Sequence, residues 1–513
     1  MSNVPPVAAQ FFWTLALVQL LAVLLLTPAV TAGTVAADKE RRALEPLLAT
    51  HFGATDIVLG KLGARLLLTV GVLLPGLPAL ALAVWLGGTP AEELAGVLVL
   101  TAVVLLATGA LSAWVSVHAR GAREAVQVVY VTGVVVWLFP PLFALTPIPW
   151  PGGPVGAALH LIDGWLVRPN PVFWLVRAWQ TGAPDWGGWR AVVAVHAAVA
   201  ALGTVLAVVQ VRRAALHHGE RRPRWPGCGP WHYFRPRVGR WPVAWKEVLT
   251  EPPAVGLESA TRALVAVIGW GALLWMSWAL AVSPAGPSSG PSTPFRVFAL
   301  LVEPPLVCIG LLLVVTHAAT CVSAERERGT WDSLMATPLS TGAVLGGKLL
   351  GALLAARRVW LLVGLLWAVG VASGQLRPVA LAITVALVAA VAVCAAAVGL
   401  LLSLRLRGSL RALAAAAGVT VVLAGGYLLL GLPLLATLAA GKEPPFWLLS
   451  PCVPFLAVGS MLLGVGGQAN ELALLAACGT GGVLYGTAGL VLLSIIRRRF
   501  DRWAGRSSSR PPH

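Results

Sequence analysis

Charge is what this sequence has least of. Only 11% of its 513 residues are Asp, Glu, Lys or Arg, and just 20 are acidic, a composition that excludes an ordinary soluble domain. The six cysteines are scattered, several of them inside apolar stretches, so no disulfide framework or zinc spacing is present and the redox compartment stays unread. No Ser-His-Asp set, no paired carboxylates and no metal-ligand spacing appear in any stretch, so an enzyme is disfavoured and no metal site is expected. Residues 1–10 carry no basic n-region, and the first apolar run therefore does not read as a cleaved signal peptide. Apolar residues do not alternate over segments of about ten, which excludes a transmembrane barrel.

What is abundant is hydrophobic side chain, 58% of the total. It is gathered in long runs at residues 11–33, 66–86, 94–117, 125–147, 191–211, 261–282, 297–321, 359–374, 379–404, 412–438 and 472–496. Each is long enough, or nearly so, to cross about 30 Å of hydrocarbon as a helix. The expected fold is all-α, a polytopic transmembrane helical bundle of about 11 spans, with 359–374 the shortest. The net charge of +17 collects in a few short connections: Arg120 and Arg123, the stretch from Arg212 to Lys246, Arg405 to Arg411, and the tail after Arg497. By the positive-inside rule these connections are cytoplasmic. The basic charge therefore reports topology in the plasma (inner) membrane, with the C-terminus cytoplasmic, and membrane lipid rather than nucleic acid is the expected surrounding.

The chain repeats itself. Residues 35–61, VAADKERRALEPLLATHFGATDIVLGK, align without a gap on residues 322–348, VSAERERGTWDSLMATPLSTGAVLGGK, at an offset of 287. Both carry acid-base-acid-base, then Ala-Thr, then a closing Gly-Lys. Each follows one span and precedes another, and after two more spans each half has a wetter segment with Asn170-Pro171 or Ser450-Pro451. The expectation is two parallel repeats: a first module at 1–213, a basic linker at 214–240, a second module at 241–499 and a basic tail at 500–513. In each charged segment the apolar residues fall at helical spacing, Leu44, Leu47 and Leu48 in one, Trp331, Leu334 and Met335 in the other. That spacing predicts cytoplasmic amphipathic helices over 38–50 and 325–337, the second opening at Gly329-Thr330 with Thr330 as a cap and closing at Pro338. Such a helix can rest on headgroups, but the duplicated charge pattern favours a docking surface.

The string AERERGTWDSLMATPLSTGAVLGGK resembles the segment after the second span in permeases of the type-two class of ABC exporters. Members of that class have an elbow helix, two spans, a coupling segment at this point, then four more spans. The second half follows this order throughout, with an elbow at Pro242-Val243-Ala244-Trp245-Lys246-Glu247. The resemblance implies a membrane permease whose ATP hydrolysis resides in a separate ABC ATPase subunit, two copies per chain, so that this chain needs no cofactor of its own and ATP and Mg²⁺ sit on the partner. It also implies that Glu40, Arg41 and Leu47, with Glu327, Arg328, Gly329, Thr330 and Leu334, contact that ATPase. The first copy departs from the pattern, having Arg42-Ala43 where the family has Gly-Thr.

Other signals are weaker. Gly342 to Lys348 has the spacing of a phosphate loop, but Leu349 stands where Ser or Thr must reach Mg²⁺ and no strand precedes it. His217, His218, Cys228 and His232 fit no zinc pattern and read as a solvated basic linker. Six Trp between Trp150 and Trp189 read as an interfacial anchor. Glu303, followed by Pro304-Pro305 that would bend or break the helix, is either on a substrate path or near the outer interface where it hydrates. Two rival readings share the repeats: a secondary transporter, disfavoured because the spans carry almost no charge for coupling ions, and a non-catalytic scaffold of a surface complex. Finally, the first half has only residues 11–33 and ten residues ahead of its charged segment, where the second has the elbow region 242–256 and two spans. The expectation is a start assigned too late, with a true loss as the alternative.

Overall fold

The computed structural model describes residues 7–133 apart from 41–42, 49–50, 88 and 120, then 136–137, 164, 167–220, 242–247, 294–421 apart from 407, 450–465 and 471–504. Every regular element among them is helical, as hydrocarbon demands of a backbone that must satisfy its own polar groups. In chain order the helices are α1 (Val7–Thr31), α2 (Thr34–Glu40), α3 (Leu44–Leu48), α4 (Ala54–Leu73), α5 (Gly76–Gly87), α6 (Ala91–His118), α7 (Ala122–Gly133), α8 (Pro171–Thr181) and α9 (Trp186–Glu220). They continue as α10 (Pro242–Trp245), α11 (Pro294–Thr320), α12 (Ser323–Glu327), α13 (Trp331–Met335), α14 (Thr341–Ala355), α15 (Arg357–Ala372), α16 (Pro378–Arg405), α17 (Ser409–Val421), α18 (Val453–Val465) and α19 (Glu471–Ala504).

Among the described residues, six stretches of helix are long and apolar enough to cross a membrane: Phe11–Lys39, Ala91–His118, Trp186–Arg213, Phe298–Glu327, Pro378–Arg405 and Glu471–Ala504. Two further pairs pass together but are bent, α4 with Gly76–Trp85 by 47° and α14 with α15 by 54°, which brings the total to as many as eight. These eight account for eight of the eleven apolar runs. The remaining three, 125–147, 261–282 and 412–438, lie partly or wholly outside the described residues, and so does most of the elbow region 242–256.

The described residues fall into two compact units, one up to His218 and one from Gly219 onward. In the first, α1 is central. Trp13, fully buried, meets Trp174 edge-on at 5.9 Å, and the Tyr130 hydroxyl donates to Leu25 O. Asn170 Oδ1 caps α8 by accepting from Val172 N and Phe173 N while its amide donates to Val136 O and Trp137 O. The wet Asn-Pro signal is thus a helix start, with Pro171 in the first turn.

In the second unit α11 is the core and largely buried, whereas α19 is peripheral and largely exposed. Of the bend or break expected from sequence, the break does not occur: α11 is continuous helix through Pro304 and Pro305. Both prolines are buried among neighbouring helices, and that packing holds the helix where two backbone N–H groups are missing. Close crossings need glycine. A Cβ at Gly399 of α16 would stand 2.6 Å from Val315 O of α11.

Element starts repeat at the sequence offset. α4 and α14, α6 and α16, and α7 and α17 each begin 287 residues apart, and α6 and α16 are both 28 residues long. The last helix of each unit carries on past its arginines, α9 to Glu220 and α19 to Ala504.

Candidate coupling site at the charged end of each unit

Where the span α1 gives way to α2, and α11 to α12, the helix breaks. The amides of Val35 and Ala36 turn to Ser116 Oγ at 3.1 and 2.9 Å, and those of Val322 and Ser323 turn to Ser403 Oγ at 3.0 Å each. One residue further along α6, Val117 O accepts from Lys39 Nζ. In the second unit Leu404 O accepts from Arg326 Nη1 at 3.1 Å. All these positions correspond at the offset of 287.

Each charged segment is two short helices rather than the single amphipathic helix expected over 38–50 or 325–337. In the second unit the break is a Schellman turn. Gly329 adopts φ +70°, its N–H donates to Arg326 O at 3.2 Å, and Thr330 N donates to Glu325 O at 3.0 Å. Only glycine takes that backbone conformation freely. Thr330 does precede α13, but its hydroxyl donates back to Glu325 O instead of capping the helix. In the first unit Ala43 N donates to Asp38 O at 2.9 Å, the matching outer bond.

The turn displays Glu327, Arg328, Gly329 and Thr330 to the outside, followed by Asp332 and Ser333, while Leu334 is half-buried. Glu327 is at the same time an anchor, since its carboxylate accepts from Ser409 N at 2.9 Å and Ser409 Oγ at 2.8 Å, at the start of α17. Trp331 is buried and donates from Nε1 to Ala504 O, with its ring edge-on to Phe500 at 6.2 Å. Arg326 lies over the Trp331 ring and also reaches Trp503 O at 2.8 Å, so the segment caps the last carbonyls of α19. In the first unit Leu44 is buried, Leu47 is half-buried, Glu40 ends α2 with its side chain outside the described set, and Arg41 lies outside the described residues.

Behind the second segment sits a knot of buried charge. Lys348 Nζ, on α14, lies 3.1 Å from Glu247 Oε1 and 3.2 Å from Glu325 Oε1, and donates to Cys321 O at 2.7 Å. Lys246 reaches Glu325 at 2.8 Å, and His317 Nε2 stands 3.5 Å from Glu247 Oε2. Burial alone would raise the Glu247 carboxyl, but the neighbouring His317 and the Lys348 ammonium bonded to Oε1 outweigh it and hold the group below the usual carboxylate range. Two glycines let the elbow come this close: a Cβ at Gly347 would meet Val243 Cβ at 2.7 Å, and one at Gly351 would meet Glu247 Cβ at 2.6 Å. The GAVLGGK string is thus the opening of a helix whose lysine holds carboxylates. The counterpart in the first unit is an ion pair of Lys61 with Asp38, with 27% and 22% of the two side chains exposed.

Sequence reading missed Ser116, Ser403 and Arg326, and it gave Glu247 and Lys348 no partner. Glu303 is fully buried. Its Oε1 accepts from Trp367 Nε1 at 3.1 Å, and its Oε2 has no partner among the described residues. None of the other site residues comes near it in the bonds described. Of the linker set, Cys228 and His232 lie outside the described residues, as do the side chains of His217 and His218.

No curated protein matches this sequence. The family model described as ABC-2 family transporter protein matches residues 243–502, half of the chain and nearly all of its second unit. That match, over a bundle of membrane-length helices whose elbow, charged segment and following spans are tied together at one end, places the chain in the ABC-2 transporter family as a multi-pass membrane permease component.

Proposed function

We propose that this permease serves an ATP-driven exporter whose ATPase is a separate polypeptide, present in two copies that hold the ATP and Mg²⁺. The two units are read as parallel copies of one module, each offering its charged segment to one ATPase on the cytoplasmic side of the plasma membrane. The observation that carries this reading is the second segment. It presents an exposed turn of mixed charge, Glu327-Arg328-Gly329-Thr330 with Asp332, on a base fixed to Lys246 of the elbow and to α14, α16, α17 and α19. A surface so held transmits a push instead of absorbing it, and nucleotide-driven closure of the ATPases would bias a two-state gate in the permease. The matching bonds at Ser116 and Ser403 support the duplication. Glu303, buried on α11 beside Trp367, is kept as a substrate-path position.

Affinity purification of the full chain from its native membrane should bring down an ATP-hydrolysing subunit. The double variant R328E/D332K should release that subunit while insertion is unchanged, and the same ATPase retained at full yield would remove the coupling assignment. Cysteine labelling from outside should reach positions beside Trp186 and spare positions beside Arg405, and the opposite pattern would overturn the sidedness.

A further inference from the structure

The helix breaks give a role to two serines that neither the repeated motif nor the family resemblance singles out. We propose that Ser116 and Ser403 are positioning residues of the transport cycle, each clasping the start of a charged segment to the end of a 28-residue span so that segment movement is delivered along α6 and α16. This rests on the coupling reading above.

Other hydroxyls in these spans behave differently. Thr101, Thr108, Ser112, Thr316, Thr320 and Thr384 each donate to the carbonyl four residues back in their own helix, the usual local bond of a hydroxyl in a membrane helix. Ser116 and Ser403 instead accept from two consecutive amides of another element. A hydroxyl oxygen has two lone pairs for such a task, and each serine uses both. Had the spans simply continued as helix, those four amides would have found carbonyls in their own chain turn. The break transfers them to a neighbour, so segment and span cannot part without orphaning two buried donors.

A second attachment lies one residue further on, where a basic side chain, Lys39 or Arg326, holds the carbonyl of Val117 or Leu404 in the last turn. In both attachments the segment donates and the end of the span accepts, in both units and at the same offset. In the second unit Cys321 O, freed by the same break, is taken by Lys348. The receiving helix common to the two units is α6 or α16.

The test uses the full chain with its ATPase in lipid nanodiscs, its native cysteines replaced and a reporter V379C placed near the far end of α16, where Val379 is 71% exposed. In the parent protein, nucleotide should change the maleimide labelling rate of the reporter. S403A should cut that change at least about tenfold with ATPase binding retained, whereas S403T, which keeps the hydroxyl, should preserve it. Should S403A fail to insert, S116A with reporter E92C on α6 asks the same question of the first unit. Undiminished nucleotide response in the alanine variant, or loss of insertion by both alanine variants, would overturn the proposal, the latter by showing a purely structural role. A parent chain that binds no ATPase at all would fail the coupling reading itself. A parent that binds the ATPase yet shows no response at either reporter would fail the clasp alone.

Discussion

The two lysines that close the repeated segments occupy the same place in their units and live in different worlds. Lys61 makes one partly exposed ion pair with Asp38. Lys348 has no exposed side-chain surface and is gripped by two carboxylates and a carbonyl, because the elbow residues 242–247 lie over it. In the first unit a Cβ at Gly60 would meet nothing within 4 Å, and Ala64, exposed, stands where the second unit has Gly351. One motif therefore yields a surface pair in one setting and a buried junction in the other. The difference is made by a neighbour, not by the motif.

That comparison can be broken most forcefully at the lysines. K348M leaves Glu247 and Glu325 buried without their shared cation and should cost about 3–5 kcal/mol, against no more than about 1 kcal/mol for K61M. Thermal unfolding of the purified protein in detergent ranks the two, and equal shifts would erase the distinction between the units. Of comparable size is S403A, which strands the amides of Val322 and Ser323 at about 1–3 kcal/mol each where nothing relaxes to meet them. Faster hydrogen exchange confined to residues 320–325 would report it.

G351A should follow, at about 1–3 kcal/mol, because the added methyl must displace the Glu247 side chain. The reverse change in the first unit, A64G, should cost only about 1 kcal/mol of helix propensity. Limited proteolysis near residue 246 distinguishes them, since only G351A should loosen the elbow. Smallest is S409A, which removes one hydrogen bond to the partly exposed Glu327 carboxylate at about 1 kcal/mol. The first unit already carries Ala122 at that position, so S409A makes the second unit resemble the first, and exchange at the start of α17 measures by how much.

The spans were legible because a bilayer sets their length and forbids charge within them, and the charged segments were legible because a repeat in one chain serves as its own alignment. The turn at Gly329 was half-legible: glycine marked a boundary, but not that helix continues on both sides of it. Lys348, Glu247 and Glu325 lie far apart in sequence, so no spacing could announce their meeting. Ser116 and Ser403 each sit near the end of an apolar run and look like any hydroxyl in a span. The one available signal was their shared offset of 287, a polar match between two spans whose other identities are apolar. The unbroken α11 shows the converse, a local rule about proline overruled by packing that sequence does not display.

Amine chemistry separates the two units without any engineered probe. An acylating reagent attacks a lysine as its free amine and only where solvent can carry the reagent, so Lys61, with 27% of its side chain exposed, should react in the resting protein. Lys348, at 0%, can react only during excursions in which the elbow lifts away from Gly347 and Gly351. Its acylation rate in the unmodified chain is therefore a direct measure of how often that junction opens.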